Sequence, residues 1–240
     1  MPTDRKPTAS VWTRPRPRQR EQLTREHIVA TAIELLDAEG IEALSMRKLG
    51  TRLNAAATSL YRHVANKDEL IQLVVDDVFG ELRVPAADPA GWRAAVTRTA
   101  GDLRAMALRH PWIAPELGQV GLVHIGPNAL RMSSGLLAQF EAAGFPAQEQ
   151  DRAVGTLTAY VVGIAASEAA YLSLIARSGR TEREWVADLR PALDAASQGH
   201  PRLREGSSAR QDVDPQRIRD DDFAYGLDRV LDGLTARLTA

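Results

Sequence analysis

The spacing of apolar residues constrains this 240-residue chain more than any other feature. Apolar residues return every three or four positions, as on one face of a helix, and no segment shows the strict alternation of a strand. Glycine and proline mark the ends of these runs. The pattern predicts an all-α fold, with helices over about residues 24–39, 45–53, 57–64, 66–82, 92–109, 128–143, 147–176 and 220–238.

Composition divides the chain into three parts. Residues 1–22 alternate prolines with arginines and hold almost nothing that a core would bury, which predicts a flexible basic arm. Closely spaced helices follow over residues 23–84 and predict a small first domain. Residues 85–240 are expected to form a larger helical bundle, in which the charged, Ser-, Gly- and Pro-rich stretch 197–219 is a mobile loop.

The charge of the chain is distributed unevenly, although the net charge is only −1. The first 67 residues sum to +5 and the remaining 173 to −6, and residues 44–67 carry five basic side chains and no acidic one. A basic end on an acidic body suits the binding of phosphate groups at that end. The sequence leaves open whether the basic arm only solubilises the chain or also enters a DNA minor groove.

Residues 45–64 form two short predicted helices joined by a tight turn, and a longer helix precedes them. This is the pattern of a helix-turn-helix within a three-helix head. Ser45 is a good N-cap, and Asn54 tolerates the positive φ that the turn needs. Leu60 and Val64 face inward, which holds the second short helix rigidly against the head.

The outward face of that helix has the chemistry to read DNA. Short hydroxyl side chains permit close approach to the groove floor, and an arginine reads guanine O6 and N7. Tyr61 either contacts DNA with its ring or packs in the head with only its hydroxyl reaching a phosphate. The alternative, a solvated basic helix pair in an unrelated bundle, leaves the uncompensated charge unexplained. The predicted DNA-binding residues are Ser45, Arg47, Lys48, Thr58, Ser59, Tyr61, Arg62, His63 and Lys67.

The segments Leu44–Asn54 (LSMRKLGTRLN) and Thr58–Leu70 (TSLYRHVANKDEL) resemble the DNA-binding domain of the tetracycline-repressor (TetR) family. The resemblance covers about residues 24–82 and implies an all-helical homodimer that binds operator DNA. Asn54 stands where the family often has glycine, and the two residues before Ser59 differ from those of the tetracycline repressors. The operator sequence is therefore not carried over. The core of the family motif is retained as Leu60, Tyr61, His63, Val64, Asn66 and Lys67.

Two segments of the second domain, Pro111–Gly118 and Gly126–Leu130, resemble the ligand domain of the tetracycline-repressor branch. The resemblance places His124 where tetracycline-binding members keep a histidine that contacts the magnesium of the bound drug complex. Pro127 replaces the threonine expected next, which argues against a magnesium–tetracycline ligand. We therefore expect a different small-molecule effector, and no metal or cofactor of the protein's own is predicted.

Seven residues are candidate ligand contacts, and each has a structural alternative. A hydrogen-bonded structural histidine is the favoured interpretation of His124, and a single Trp or Tyr more often lies in a core. Glu168 lies in a helix that is apolar almost all round, and a buried acid needs a partner, either a ligand or an arginine. The candidates are Trp112, Glu116, His124, Asn128, Tyr160, Glu168 and Tyr171.

The helices near 147–176 and 220–238 are expected to form a dimer interface rather than an intramolecular core. Small residues such as Gly155, Gly163 and Ala166 let helices approach closely. The resemblance implies a four-helix bundle built from two such helices of each protomer. Two-fold symmetry of this kind matches a palindromic operator.

These features predict a transcriptional repressor that a small-molecule inducer releases from its operator. An enzyme is disfavoured, because the chain has no cysteine and none of the common phosphate-loop, zinc-protease or serine-hydrolase motifs. A constitutive architectural DNA binder is disfavoured, because the body is far larger than dimerisation needs. The N-terminus lacks the apolar region of a signal peptide, and the longest uncharged helical stretch, residues 153–167, is short for a bilayer. We therefore expect a cytoplasmic protein with no membrane contact.

Overall fold

The computed structural model describes residues 23–119, 125–202 and 213–236. These parts of the chain are helices with short connections and contain no strand, which confirms the predicted all-α fold. The basic arm and His124 lie outside the described residues. The helices are α1 (Arg25–Glu39), α2 (Met46–Arg52), α3 (Ala57–Leu60), α4 (Lys67–Phe79), α5 (Trp92–Arg109), α6 (Ala114–Leu117), α7 (Pro127–Ala142), α8 (Ala147–Ser178), α9 (Glu182–Ala196) and α10 (Pro215–Thr235).

Helices α1 to α4 form the head, and the helices from α5 onward form the body. The side chains of Thr24, Ser45 and Asn66 each accept a hydrogen bond from the backbone N–H three residues on, at 2.8–3.2 Å. Each bond satisfies a donor that a helix start leaves unpaired, which fixes where α1, α2 and α4 begin. These three starts agree with the sequence prediction.

Helix α3, the second short helix of the helix-turn-helix, is shorter than the predicted span of 57–64. It ends at Leu60, and the chain continues in tight turns in which the Leu60 carbonyl accepts from the N–H groups of His63 (2.9 Å) and Val64 (3.0 Å). Asn66 must be extended to cap α4, with φ −159°, and this conformation stops any continuous helix from 57 into α4. Asn54 adopts φ +48° in the turn before α3, as its position predicts.

The body is arranged around α8, which packs against α5, α7 and α10. One face of α8 is buried, and an aromatic cluster of Trp92, Phe140 and Phe145 fills the space between α5 and the end of α7, with the two phenylalanine ring centroids 5.0 Å apart. The buried apolar residues of head and body belong to one continuous core. The head is therefore packed onto the body and is not joined to it by a linker alone.

The other face of α8 remains open in the protomer. An 18-residue window of α8 has a mean hydropathy of 1.5, yet only 28% of that window is buried. By length and composition the helix is apolar enough to cross a membrane, a test that the core helix of a soluble protein also meets. The exposed face carries Gly155, Ala159 and Gly163, so a smooth strip of small residues stays uncovered.

Two features of the body differ from the sequence prediction. Helix α9 was not predicted, although Thr181 and Glu184 form a complete capping box at its start. Helix α10 begins at Pro215, because Asp214 accepts hydrogen bonds from the N–H groups of Gln216 and Arg217. The first turn of α10 therefore occupies part of the stretch predicted as a mobile loop, and residues 203–212 of that stretch lie outside the described residues.

A carboxylate of the head caps a helix of the body. Oδ1 of Asp76, on α4, accepts from the backbone N–H groups of Asn128 (2.9 Å) and Ala129 (3.0 Å) at the start of α7. The Asn128 side-chain amide donates back to the Asp76 carbonyl at 2.9 Å. A Cβ at Gly126 would lie 2.3 Å from the Asp76 carboxylate, so this close approach requires glycine.

Asp76→Ala should lower the free energy of unfolding by about 1–2 kcal/mol, because it removes the N-cap of α7 and a head–body contact together. Urea unfolding followed by circular dichroism measures this. Asp77→Asn is the matched control: burial, then the charges of Asp76 and Glu81, raise the pKa of Asp77, so neutralising it should not destabilise the protein. Equal losses in both variants would contradict the capping role.

Candidate DNA-reading face and effector cavity

Several of the predicted DNA-binding residues are exposed on the head. Tyr61 is 50% exposed, and Arg47, Thr58 and Arg62 are exposed as well. Leu60 and Val64 are buried beneath them, as predicted, so α3 is held from below by the head core. The arrangement leaves hydroxyl, phenol and guanidinium groups facing outward on a rigid support, which base and phosphate recognition requires.

Helices α2 and α3 approach each other closely at Gly50. A Cβ at this position would lie 2.7 Å from the Ala55 carbonyl oxygen, which real structures do not allow. Glycine at this position therefore sets the distance between the two helices. The small open hollow beside it is lined by Arg47, Thr51 and Asn54 among others, which places Arg47 near the start of α3.

Lys48 is placed differently from its neighbour Arg47. Its ammonium group forms an ion pair with Glu39, the last residue of α1, and Glu39 also accepts from Arg52 at 3.0 Å. The hydrogen bond from Lys48 is the main cause that lowers the pKa of Glu39. Lys48 and Arg52 thus tie α2 to α1, a role that the sequence analysis did not assign to them.

His63 lies between α3 and α4, Lys67 is the first residue of α4, and both are partly buried. The guanidinium Nε of Arg25, on α1, donates to the His63 carbonyl at 3.3 Å, so α1 supports the turn that follows α3. Ser45 caps α2 with its own hydroxyl and is exposed beside the free N–H groups of that helix start. All nine predicted residues therefore lie on the head, eight of them in the turns and helices from α2 to α3 and Lys67 at the start of α4.

The predicted ligand contacts do not gather in one place. Trp112 is buried and donates from Nε1 to Asp37 Oδ1 at 2.7 Å, and Asn128 bonds to Asp76, so both lie between head and body. Tyr160 donates to the Phe223 carbonyl at 2.8 Å and stacks on the Phe223 ring. Glu116 is on the short helix α6 and accepts from Gln119 at 3.2 Å. The structure brings together two of the seven, Glu168 and Tyr171.

Glu168 and Tyr171 line a cavity of about 810 Å³ between α8, α9 and α10, here called the α8–α10 cavity. This volume suits a ligand of drug size. Apolar side chains provide much of its lining, and charged side chains of all three helices line it as well, among them Glu168, Glu182, Arg183, Arg190, Arg219 and Asp222. Burial, followed by the nearby charge of Glu182, raises the pKa of the Tyr171 phenol, which therefore stays protonated. The lining includes Ile164, Val186, Ala187, Val213, Pro215, Ile218 and Phe223.

Several of the charged residues that line the cavity belong to an ion network. The Glu168 side chain is 5% exposed and accepts from Arg104 Nε (2.6 Å) and Nη2 (2.7 Å) and from Arg219 Nε (2.8 Å). Arg219 also pairs with Glu182 of α9, and Arg104 with Asp220 of α10 at 2.8 Å. Burial alone would lower the pKa of Arg104, but its hydrogen bonds to Glu168 and Asp220 outweigh burial and raise that pKa. The network thus joins α5, α8, α9 and α10.

A second set of polar contacts joins the end of α5 to the head. It is here called the clasp and consists of His110, Trp112, Asp37 and Glu81. The His110 ring lies with Nδ1 2.7 Å from Asp37 Oδ1 and Nε2 2.9 Å from Glu81 Oε1. Burial acts to raise the pKa of Glu81, but hydrogen bonds from Arg109 and His110 outweigh it and lower that pKa. Within the described residues no cluster of three or more His, Asp or Glu side chains is arranged to hold a metal ion.

Two family models match the chain. The model for bacterial regulatory proteins of the tetR family matches residues 28–74, and that for the tetracyclin repressor-like C-terminal domain matches residues 84–238. The chain is 41% identical over 164 residues to an HTH-type transcriptional regulator of Saccharopolyspora erythraea, covering 68% of this chain and 69% of that protein. It is 34% identical over 220 residues to the HTH-type transcriptional repressor DrrR1 of Streptomyces coeruleorubidus, covering 88% and 77%.

Solved structures agree with these relatives. The TetR family protein ActR of Streptomyces coelicolor, in complex with actinorhodin, matches with a TM-score of 0.72 and 31% identity, covering 90% of this chain and 98% of that chain. An all-helical fold with a helix-turn-helix head defines a DNA-binding transcriptional regulator. The chain belongs to the tetR family of bacterial regulatory proteins, which confirms the predicted family and fold.

Replacement of neighbouring cations should distinguish a DNA contact from a structural one. Arg47→Ala is expected to weaken binding to a duplex selected from random-sequence DNA about tenfold, because an exposed guanidinium on the reading face is lost. Lys48→Ala should weaken it less than threefold, because Glu39 already holds that ammonium group. Fluorescence anisotropy measures both affinities. A larger loss of affinity in Lys48→Ala than in Arg47→Ala would contradict a DNA contact for Arg47 and a structural contact for Lys48.

Proposed function

We propose that the protein is a homodimeric repressor that binds a palindromic operator with its two heads and is released by a small molecule in the α8–α10 cavity. The observation that carries the proposal is the pairing of a basic reading face with a ligand-sized cavity in one continuously packed protomer. Relatives named as transcriptional repressors support the direction of regulation. We place the protein in the cytoplasm, where its operator is, and among regulators rather than enzymes.

The exposed strip of α8 supports a two-fold dimer. Gly155, Ala159 and Gly163 recur every four residues on one face of the helix, and small residues let backbones approach closely. An apolar strip of this length is costly to leave in water, and a second copy of α8 would cover it. Helix α10 lies beside α8 and would complete a four-helix bundle across the two-fold axis.

The lining of the α8–α10 cavity indicates the kind of effector. The acids and arginines of the ion network already neutralise one another. A ligand therefore need not carry a charge to bind. Apolar walls with Tyr171 and Phe223 favour a ring system of drug size that carries a few hydroxyl or carbonyl groups toward Glu168 and Arg219. The relative ActR is solved with actinorhodin and with (S)-DNPA, which makes these compounds sensible first probes.

A constitutive architectural DNA binder is the second candidate. It has no need of a cavity of about 810 Å³ lined in part by an ion network, and this cavity favours the ligand-responsive repressor. Pro127, the first residue of α7, has no side-chain oxygen to offer a metal, which disfavours a magnesium–tetracycline effector.

Binding to a selected duplex across a salt series tests the proposed function. Wild-type protein should bind tightly, with an affinity that falls steeply with salt, and a scrambled duplex should bind far more weakly. Tyr61→Ala should weaken binding about tenfold without lowering the thermal midpoint. Leu193→Ala, which truncates a side chain 58% exposed on α9, is the control and should bind as wild type. Equal binding to selected and scrambled duplexes would favour the architectural candidate.

Gly163→Arg should convert the dimer to a monomer, because a long charged side chain in the α8 strip blocks close helix contact. Sedimentation velocity measures the change, and circular dichroism should show unchanged helix content. Gly101→Arg is the control, since Gly101 also lies in a helix with open space around its Cα. A dimeric Gly163→Arg protein would exclude this face as the interface.

Val186→Trp should fill the cavity from the α9 side and reduce binding of the fluorescent apolar probe 8-anilinonaphthalene-1-sulfonate at least tenfold. Leu193→Trp adds the same ring to the same helix at a position 58% exposed and outside the cavity lining. That control should leave probe binding unchanged. Titration of probe fluorescence gives both affinities, and equal affinities would mean that the probe binds elsewhere.

A further inference from the structure

One helix contacts both the ion network of the α8–α10 cavity and the head. Helix α5 presents Arg104 to the ion network of the cavity, and its C-terminal end continues directly into His110 and Trp112 of the clasp. The six residues from Arg104 to His110 correspond to about 9 Å along a helix axis. The distance is short enough for a shift at one end to be felt at the other.

The contact at the cavity end is strong and geometrically specific. Arg104 binds both oxygens of Glu168 through a two-pronged bond, and its guanidinium carbon lies 4.9 Å from the centroid of the Phe223 ring. Glu168 and Phe223 both line the cavity. A molecule that hydrogen-bonds Glu168 or displaces Phe223 must therefore compete with Arg104 for them.

The contact at the head end joins two helices of the head at once. Asp37 is on α1, and Glu81 follows the end of α4. Oδ1 of Asp37 lies 2.7 Å from the ring nitrogen of His110 and accepts from Trp112 Nε1 at 2.7 Å. Because two partners share that one oxygen and both rings are buried, a small displacement of the α5 end weakens several bonds together.

The helix between these ends is held by packing along its length. Leu103, Met106 and Ala107 are buried against the body core, and α8 covers the same face. Close-packed side chains do not deform continuously, so α5 shifts as a unit or stays in place.

We propose that α5 carries the state of the α8–α10 cavity to the head, with Arg104 as the receiving residue and the clasp as the element that opens. The inference rests on the proposed function, in which that cavity holds the effector. Arg104 acts through the clasp and touches no DNA, so it is a positioning residue. An effector that binds only when Arg104 is released favours the open clasp, in which the head is no longer fixed to α5.

Hydrogen exchange of the full-length protein, followed by mass spectrometry, tests the route without DNA or a ligand. Arg104→Lys keeps the charge but loses the two-pronged bond to Glu168. It should raise exchange at least threefold at amides beside the clasp, including those of His110, Ile113, Gly40 and Leu82, which are hydrogen-bonded in the native protein. Amides of Leu49 and Leu70, deep in the head, should be unchanged.

Arg93→Lys is the matched control. Arg93 is also on α5 and also pairs with acids of α10, Asp228 and Asp232, but it makes no bond to Glu168 or to the rest of the ion network. Faster exchange at the clasp in Arg104→Lys and not in Arg93→Lys supports the route. Faster exchange confined to α8, α9 and α10, or equal effects of both variants, overturns it.

A second variant approaches the route from the other end. His110→Asn should change the affinity of the cavity for 8-anilinonaphthalene-1-sulfonate at least threefold, although His110 does not line it, because coupling between two sites is reciprocal. An unchanged probe affinity overturns the α5 route. It leaves the proposed function to be decided by duplex binding, so the two failures are distinguishable.

Discussion

A carboxylate buried in an apolar helix governs the arrangement of the body. Glu168 is 5% exposed at its side chain, and an ionised acid at such a depth is tolerated only with close partners of opposite charge. Arg104 and Arg219 supply them from α5 and α10, and Arg219 brings Glu182 of α9 into the same network. Satisfying one charge thus fixes four helices around a single point, and the space left beside that point is the α8–α10 cavity.

The acidic residues of the head have a parallel use. The segment that precedes the basic motif is rich in acids, and two of these bond inward. Glu39 holds Lys48 and Arg52, which braces α2, and Asp37 accepts from Trp112 of the body. Asp76 of α4 then caps α7. Three acids of the head therefore bond to its own frame or to the body, and positive charge is left in excess on the face proposed to meet DNA.

Local signals explain how much of this was predictable. Thr24, Ser45 and Asn66 cap their helices with bonds that span three residues, so the sequence alone located the starts of three helices of the head. Glu168 was recognised as a buried acid that needs a ligand or an arginine, and arginines are its partners. The cavity was not predictable, because its walls come from helices far apart in sequence. Trp112 and Asn128 were predicted as ligand contacts, and in the structure they bond to Asp37 and Asp76 of the head, a placement that only the tertiary fold reveals. The capping box at Thr181 was a local signal for α9, but the prediction relied on apolar spacing and missed this helix.

In the proposed dimer, the two heads are set at the spacing of successive major grooves. Pulsed electron paramagnetic resonance measures the distance between the heads directly. The sequence contains no cysteine, so Ala30→Cys, on the exposed side of α1, takes one spin label per protomer. The account predicts an inter-label distance distribution that narrows to one maximum on the selected duplex. It also predicts no narrowing when five base pairs are added between the half-sites, because half a turn rotates the second groove away. The absence of dipolar coupling, or the same narrowing on both duplexes, would contradict a dimer that reads two half-sites one turn apart.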